Sequence, residues 1–409
     1  MKLLNVVSLE DADALLARWW AELALPAQTL PVSSAAGRTL SRDVSSRVAV
    51  PPFSRSSVDG YAVRSSDVAA AGDRSPVFLK LVGSVAMGAL PAFSVGAGEC
   101  AYIPTGGALP EGADAVVMIE NCEPFPPKNI AVGDSAAFHE NVVLAGEDTA
   151  AAAPLLPRGT VLRAQELGVL TAAGVETVEV FPRPRVSVFS TGDELVPPQA
   201  PLPAGKLYDI NSAVLSAAAQ SADMTLVRRA LLPDNGDALL AALSEAKGDS
   251  DVVLVSGGSS QGERDLTERL FTRLTGSAPA VHGLALKPGK PTILAQSPDR
   301  KTLWLGLPGH PAAALLVFSL LVSHSLRRYR GTPEPPAVPA LAERNFPADP
   351  GKTTCVLCRL VPAEDGYLAR PVFGKSGLIS PLTQADGCVL IPRNREGIRK
   401  GERVLVRPL

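Results

Sequence analysis

Four stretches of this 409-residue chain place polar and flexible residues where an apolar, strand-like run stops. Val186–Ser190 runs into Thr191-Gly192-Asp193-Glu194, and Leu226–Leu232 into Pro233-Asp234-Asn235. Val252–Val255 runs into Ser256-Gly257-Gly258-Ser259-Ser260-Gln261-Gly262, with Asp265 just beyond. Leu303–Leu305 runs into Gly306-Leu307-Pro308-Gly309-His310-Pro311. A Ser/Gly loop before a helix suits an anion: glycines let backbone N–H groups approach a phosphate, and the helix N-terminus adds partial positive charge. Ser256, Gly257, Gly258, Ser260 and Gly262 are the candidate donors and glycines of that loop. An ordinary glycine turn is the competing reading, because such a loop alone is a weak signal.

The carboxylates Glu194, Asp234 and Asp265 are expected at one sheet edge. Hard oxygen donors beside phosphates suit Mg²⁺, which takes one or two carboxylates plus phosphate oxygens. Glu194 and Asp265 are the candidate metal ligands; for Asp265, simple favour in a first helical turn is the alternative. Lys287-Pro288-Gly289-Lys290-Pro291 holds two lysines on a stiff turn, which suits an oxyanion, although a solvated basic turn is the commoner case. The segment Pro51 to Arg64 mixes turn formers with Asp59, Tyr61 and Arg64, and nothing in it demands chemistry by itself.

These loops need a scaffold. From Arg183 to about Arg330, strand-like runs alternate with helical ones: Asn211 to Ala222 (capped by Asn211 or Ser212), Gly236 to Ala246, Arg264 to Leu274, and one long apolar helix from Ala312 to Arg328. That alternation predicts a doubly wound, mostly parallel α/β sheet, with ligands beyond the carboxyl ends of its strands. Ser8 to Ala24 carries helical spacing (Ala12, Leu15, Leu16, Trp19, Trp20, Leu23). Short runs at Val77–Val82, Glu99–Ile103 and Ala115–Ile119 between Gly/Pro turns predict a small β-rich domain. After the proline-rich linker GTPEPPAVPAL, short strands without a clear helix predict a β-barrel or sandwich. The expected division is residues 1–26 as a helix packing on the α/β domain, 27–50 with 146–179 as a connecting region, 51–145 as the β-rich domain, 180–331 as the α/β domain and 337–409 as the C-terminal domain.

Hydrophobic residues make up 46% and charged residues 20%, so the chain can bury sizeable cores; the formal net charge of −2 argues against a nucleic-acid partner. The apolar run at Pro311–Val322 is too short to span a bilayer, which needs about 20 residues. No secretory signal is expected, and the location read from this is the cytoplasm. Five cysteines without such a signal argue against a disulfide framework. Cys355 and Cys358, three apart on a strand, should point to opposite faces and read as structural thiols.

Taken together, the motifs resemble the molybdopterin molybdenumtransferase family, which includes the MoeA proteins and the gephyrin E domain. PPFSRSSVDGYAVR and IPTGGALPEGADAVVMIE resemble two family segments, and STGDEL, YDIN, SGGSSQGERD, KPGKP and GLPGHP follow in family order, over nearly the whole chain. The resemblance implies a homodimer that inserts molybdate into adenylylated molybdopterin, with Mg²⁺-dependent hydrolysis and release of AMP. It implies catalytic roles for Asp59, Glu194, Asp234, Asp265, Lys287 and Lys290. It implies substrate contacts at Thr105, Asp148, Pro308, Gly309, Pro311 and Ser376. Asp59 lies outside the α/β region and would face the partner's cleft. A pterin adenylyltransferase and molybdoenzyme maturation proteins are the further partners implied. The substrate's own dithiolate makes a catalytic cysteine unnecessary. GLPGHP carries His310 where the family commonly has Asn, and Gly283 stands where some members have lysine. A pterin adenylyltransferase is disfavoured by the regions flanking the α/β domain. A non-enzymatic dimeric scaffold is disfavoured by the presence of the acids and both lysines, whereas the departures at His310 and Gly283 leave a tungsten-preferring or low-activity paralogue as an open alternative.

Overall fold

The computed structural model describes residues 6–257, 261–375 and 377–409; for 261–265 only the helical backbone is described. The chain forms two compact units, residues 29–179 and residues 1–28 with 180–409.

The 29–179 unit centres on a six-stranded sheet. Its strands are β1 (Gly60–Val63), β2 (Val77–Ser84), β3 (Glu99–Ile103), β4 (Ala115–Met118), β5 (Cys122–Phe125) and β6 (Asn129–Val132), in the order β4-β1-β3-β2-β6-β5. Only β2 and β3 pair in parallel. Val63, Leu79, Cys100, Ala115 and Val132 alternate inward along these strands and fill the core. Short two-stranded pieces, two α-helices (Ser65–Val68 and Ala164–Ala172) and two single 3-10 turns (Val32–Ser34 and Ile119–Asn121) make up the rest of its described regular structure.

The other unit begins with α1 (Leu9–Glu22), whose first turn is capped by the Ser8 side chain accepting from the Asp11 N–H at 3.0 Å. Its α/β domain contains β7 (Arg185–Thr191), α2 (Asn211–Ser221), β8 (Thr225–Leu232), α3 (Gly236–Asp249), β9 (Val252–Ser256), α4 (Gln261–Thr275), β10 (Val281–His282), β11 (Leu286–Lys287), β12 (Ile293–Gln296), β13 (Leu303–Leu307), α5 (Pro311–Val317) and α6 (His324–Arg330). The sheet runs β8-β7-β9-β13-β12-β10, with the first four strands parallel and the last two antiparallel. The central strands are buried on both faces, which is why they read as continuous Val/Leu runs. Even-numbered residues of β7 and β9 face one core with α1, α2 and α5, and odd-numbered ones face another with α3 and α4.

Two expectations are corrected here. The run from Ala312 to Arg328 is not one regular α-helix: Phe318–Ser323, between α5 and α6, widens to π geometry. Such a widening rotates the residues after it about the axis. His324 and Ser325 follow it and bond α1, His324 Nδ1 to Asp13 Oδ1 at 2.7 Å and Ser325 Oγ from Trp20 Nε1 at 3.0 Å. Nor do Asn211 or Ser212 cap α2; Asp209 Oδ1 accepts from the Ser212 N–H at 3.1 Å.

The C-terminal domain contains β14 (Val338–Ala342), β15 (Thr353–Ala363), β16 (Gly366–Pro371), β17 (Gly387–Ile391) and β18 (Arg403–Pro408). They close into a five-stranded barrel because the long β15 pairs with both β16 and β17. A short helix, α7 (Ser380–Gln384), precedes β17, where no helix was expected. Cys355 and Cys358 point to opposite faces of β15, Cys358 into the barrel core. Burial pushes the Cys358 thiol up to about 12. No helix among the described residues is long and apolar enough to cross a membrane.

Candidate functional site

The carboxyl ends of β7, β9 and β13 meet at one place. Gly257 directly follows β9, and a Cβ there would lie 2.0 Å from Thr191 Oγ1 at the end of β7, so only glycine lets these strand ends approach. Ser256 is buried, and its hydroxyl donates to the Pro308 carbonyl at 3.1 Å, tying β9 to the turn after β13. The hydroxyl therefore works inside the protein. Beside them, the Asp193 N–H donates to Asp234 Oδ2 and the Asp234 N–H to Asp193 Oδ1, each at 3.1 Å. This reciprocal pair joins the loops after β7 and β8. Glu194 is exposed next to it. Helix α4 begins at Gln261, so Gly262 and Asp265 lie in its first two turns. Their side-chain placement, and all of Gly258, Ser260 and Ser376, lie outside the described residues.

Pro308 and His310 also reach a second feature of the same unit, a cavity of about 670 Å³ between the α/β domain and the barrel. Lys287, Lys290, Lys352 and Lys375 line it, and Asp349 is the acid among its described lining residues. Two turns carry most of this charge. Lys287-Pro288-Gly289-Lys290 leaves β11, Asp349-Pro350-Gly351-Lys352 enters β15, and both turns line the cavity. Lys287 Nζ donates to Asp349 Oδ1 at 2.8 Å, and this bond holds the Asp349 carboxyl below its ordinary range. Among the described residues, Lys290, Lys352 and Lys375 have no ion pair; Lys290 and Lys375 are exposed and Lys352 is half-buried. Four ammonium groups against one carboxylate make a pocket for a multivalent anion. Pro311 is the first residue of α5 and His310 its N-cap.

The sequence reading missed Lys352 and Lys375. A signal existed for the first, since Asp-Pro-Gly-Lys repeats the turn chemistry of Lys-Pro-Gly-Lys.

In the 29–179 unit, Asp59 and Thr105 come together. Asp59 Oδ1 accepts from the Thr105 N–H at 2.6 Å and from its hydroxyl at 2.9 Å, and these bonds hold the exposed carboxyl below the usual range. Asp148 is exposed and is held through its backbone, its N–H donating to the Val50 carbonyl at 3.1 Å.

Comparison with known proteins decides the family. Residues 7–174 match the MoeA N-terminal region (domain I and II), 187–328 the probable molybdopterin binding domain, and 339–409 the MoeA C-terminal region (domain IV). The molybdopterin molybdenumtransferase of Nostoc sp. is 32% identical over 91% of this chain and 86% of its own length. The chain belongs to the molybdopterin molybdenumtransferase family. The Bacillus subtilis molybdopterin molybdenumtransferase is 31% identical over 90% of the chain and 86% of its own length. A MoeA crystal structure from Pyrococcus horikoshii superposes with a TM-score of 0.80 at 34% identity, covering 98% of this chain and 99% of that one. Family membership makes the chain a transferase of molybdenum-cofactor biosynthesis. Among the described residues, no three His, Cys, Asp or Glu side chains form a cluster that could hold a metal ion.

Proposed function

We propose that the chain inserts molybdate into adenylylated molybdopterin and releases AMP, acting as a cytoplasmic homodimer. The observation that carries this reading is the lysine-lined cavity beside the strand ends. Molybdate is a dianion that needs fixed donors, and Lys287 and Lys290 sit on a proline–glycine turn that restricts them. The phosphate end of the substrate has its own place at the start of α4, where N–H groups and the helix terminus favour an anion.

The donors present fit a Mg²⁺ completed by the substrate. Glu194 is an exposed carboxylate at the strand ends, and an ion of this kind needs only one or two protein carboxylates plus phosphate oxygens. Glu194 and Asp265 would hold it, and when bound it would offset negative charge at the phosphoanhydride. Asp234 holds the loop after β7 through its bond with Asp193. Asp59, held ionised by Thr105, is proposed to face the strand-end loops of a second subunit; Thr105 and Asp148 would contact substrate there, as would Pro308, Gly309, Pro311 and Ser376 in their own subunit. Light scattering at micromolar concentration should give twice the chain mass; a fully active monomer contradicts the shared site.

The test is AMP release from adenylylated molybdopterin, with molybdate and tungstate compared. Release that depends on an oxyanion supports the reading. Formation of adenylylated pterin from ATP and pterin, without AMP release, would instead favour an adenylyltransferase.

A further inference from the structure

Asn211 opens α2 but does not cap it: the N-cap position is Ile210, and Asp209 Oδ1 accepts from the Ser212 N–H. The residue is only 7% exposed, and its carboxamide bonds at the strand ends. Nδ2 donates to Ser256 Oγ at 2.7 Å and to the Gly309 carbonyl at 2.7 Å. Ser256 Oγ passes its own hydrogen to the Pro308 carbonyl at 3.1 Å. One amide thus fastens the last residue of β9, from which the Ser/Gly loop springs, to the turn that brings Pro308 and His310 to the lysine cavity. These partners lie 45 and 98 residues away in sequence. The bonds serve more than local packing, since each ends on a loop at the strand ends. Asn211 Oδ1 and Ser190 Oγ, buried on the same side of the sheet, have no hydrogen-bond partner among the described residues. A polar side chain accepts that cost in a folded protein where its placement serves something else.

We propose that Asn211 is a positioning residue, which sets the spacing between the loop that receives the nucleotide phosphate and the turn that borders the oxyanion cavity. The proposal rests on the functional reading above. Asp, nearly the same size, cannot donate to the Gly309 carbonyl, so Asn211→Asp breaks the bridge while conserving shape. Asn211→Ser keeps a donor too short to reach both loops and introduces no buried charge.

The experiment measures AMP binding by calorimetry and the kinetics of AMP release from adenylylated molybdopterin for the whole chain, with thermal melting alongside. Both variants should weaken AMP binding at least tenfold and raise KM for the adenylylated pterin by a similar factor, with kcat within about threefold. Ser8→Ala, which removes the α1 cap, is the control: it should lower Tm and leave KM and AMP affinity unchanged. If both Asn211 variants lower Tm but bind AMP and substrate like the unmodified chain, Asn211 is structural and the proposal is overturned. If the unmodified chain neither binds nor releases AMP, the functional reading fails first and the proposal falls with it.

Discussion

The two Pro-Gly-Lys turns of the cavity are alike in sequence and opposite in mechanics. In Lys287–Lys290, Gly289 is buried at φ 135°, and a Cβ there would meet Val317 Cγ2 at 2.7 Å and Leu286 Cδ2 at 3.0 Å. In Asp349–Lys352, Gly351 sits at φ 79° and a Cβ would meet nothing within 4 Å. The first turn is clamped against α5 and its own strand; the second is open to solvent. Their charges differ in the same sense. Lys290, on the clamped turn, has no ion pair among the described residues, whereas the open turn supplies Asp349, which neutralises Lys287. A fixed cation and an adjustable counter-charge can admit an anion without reorganising the α/β domain.

Gly289→Ala should break that contrast most strongly. It adds a methyl into Val317 and forces an unfavourable φ, so we expect a loss of about 2–4 kcal/mol in urea unfolding. Lys290→Ala should come next. Removing a charge-assisted contact worth roughly 1.5–3 kcal/mol weakens molybdate use about 10–100-fold while binding of the adenylylated pterin changes less. Equal loss of both would assign Lys290 to the nucleotide. Gly351→Ala has only its positive φ to oppose it and should cost about 1 kcal/mol, with molybdate use unchanged.

Asp349→Asn should have the smallest effect on stability, because its partner bond is exposed. Its sign with pH is fixed. The carboxyl is held low by Lys287, so its contribution is present above the ordinary Asp pKa and lost as pH falls through the depressed value. Unmodified and Asp349→Asn chains should therefore converge in stability under acid. The same substitution should tighten oxyanion binding at low salt, an advantage that added salt erases.

Much of the α/β fold was legible because β7, β9 and β13 are long apolar runs that stop at glycine-rich loops, and α3 and α4 keep helical spacing between them. The family was legible from several motifs in fixed order. The cavity was not, because its two lysine-bearing turns meet only in the fold, where Lys287 bonds Asp349 from 62 residues away. The bridging role of Asn211 was hidden for the same reason: local spacing offers it a cap, and only the folded sheet brings Ser256 and Gly309 within reach. The π-widened stretch between α5 and α6 has no mark in an apolar run that reads equally well as one helix.

Anomalous diffraction at the molybdenum edge, from crystals soaked in molybdate, shows whether the lysine cavity seats the oxyanion. A peak is expected in the cavity within hydrogen-bonding distance of Lys290, absent in Lys290→Ala crystals. A peak confined to another part of the molecule, or none at a concentration that saturates AMP release, would contradict it.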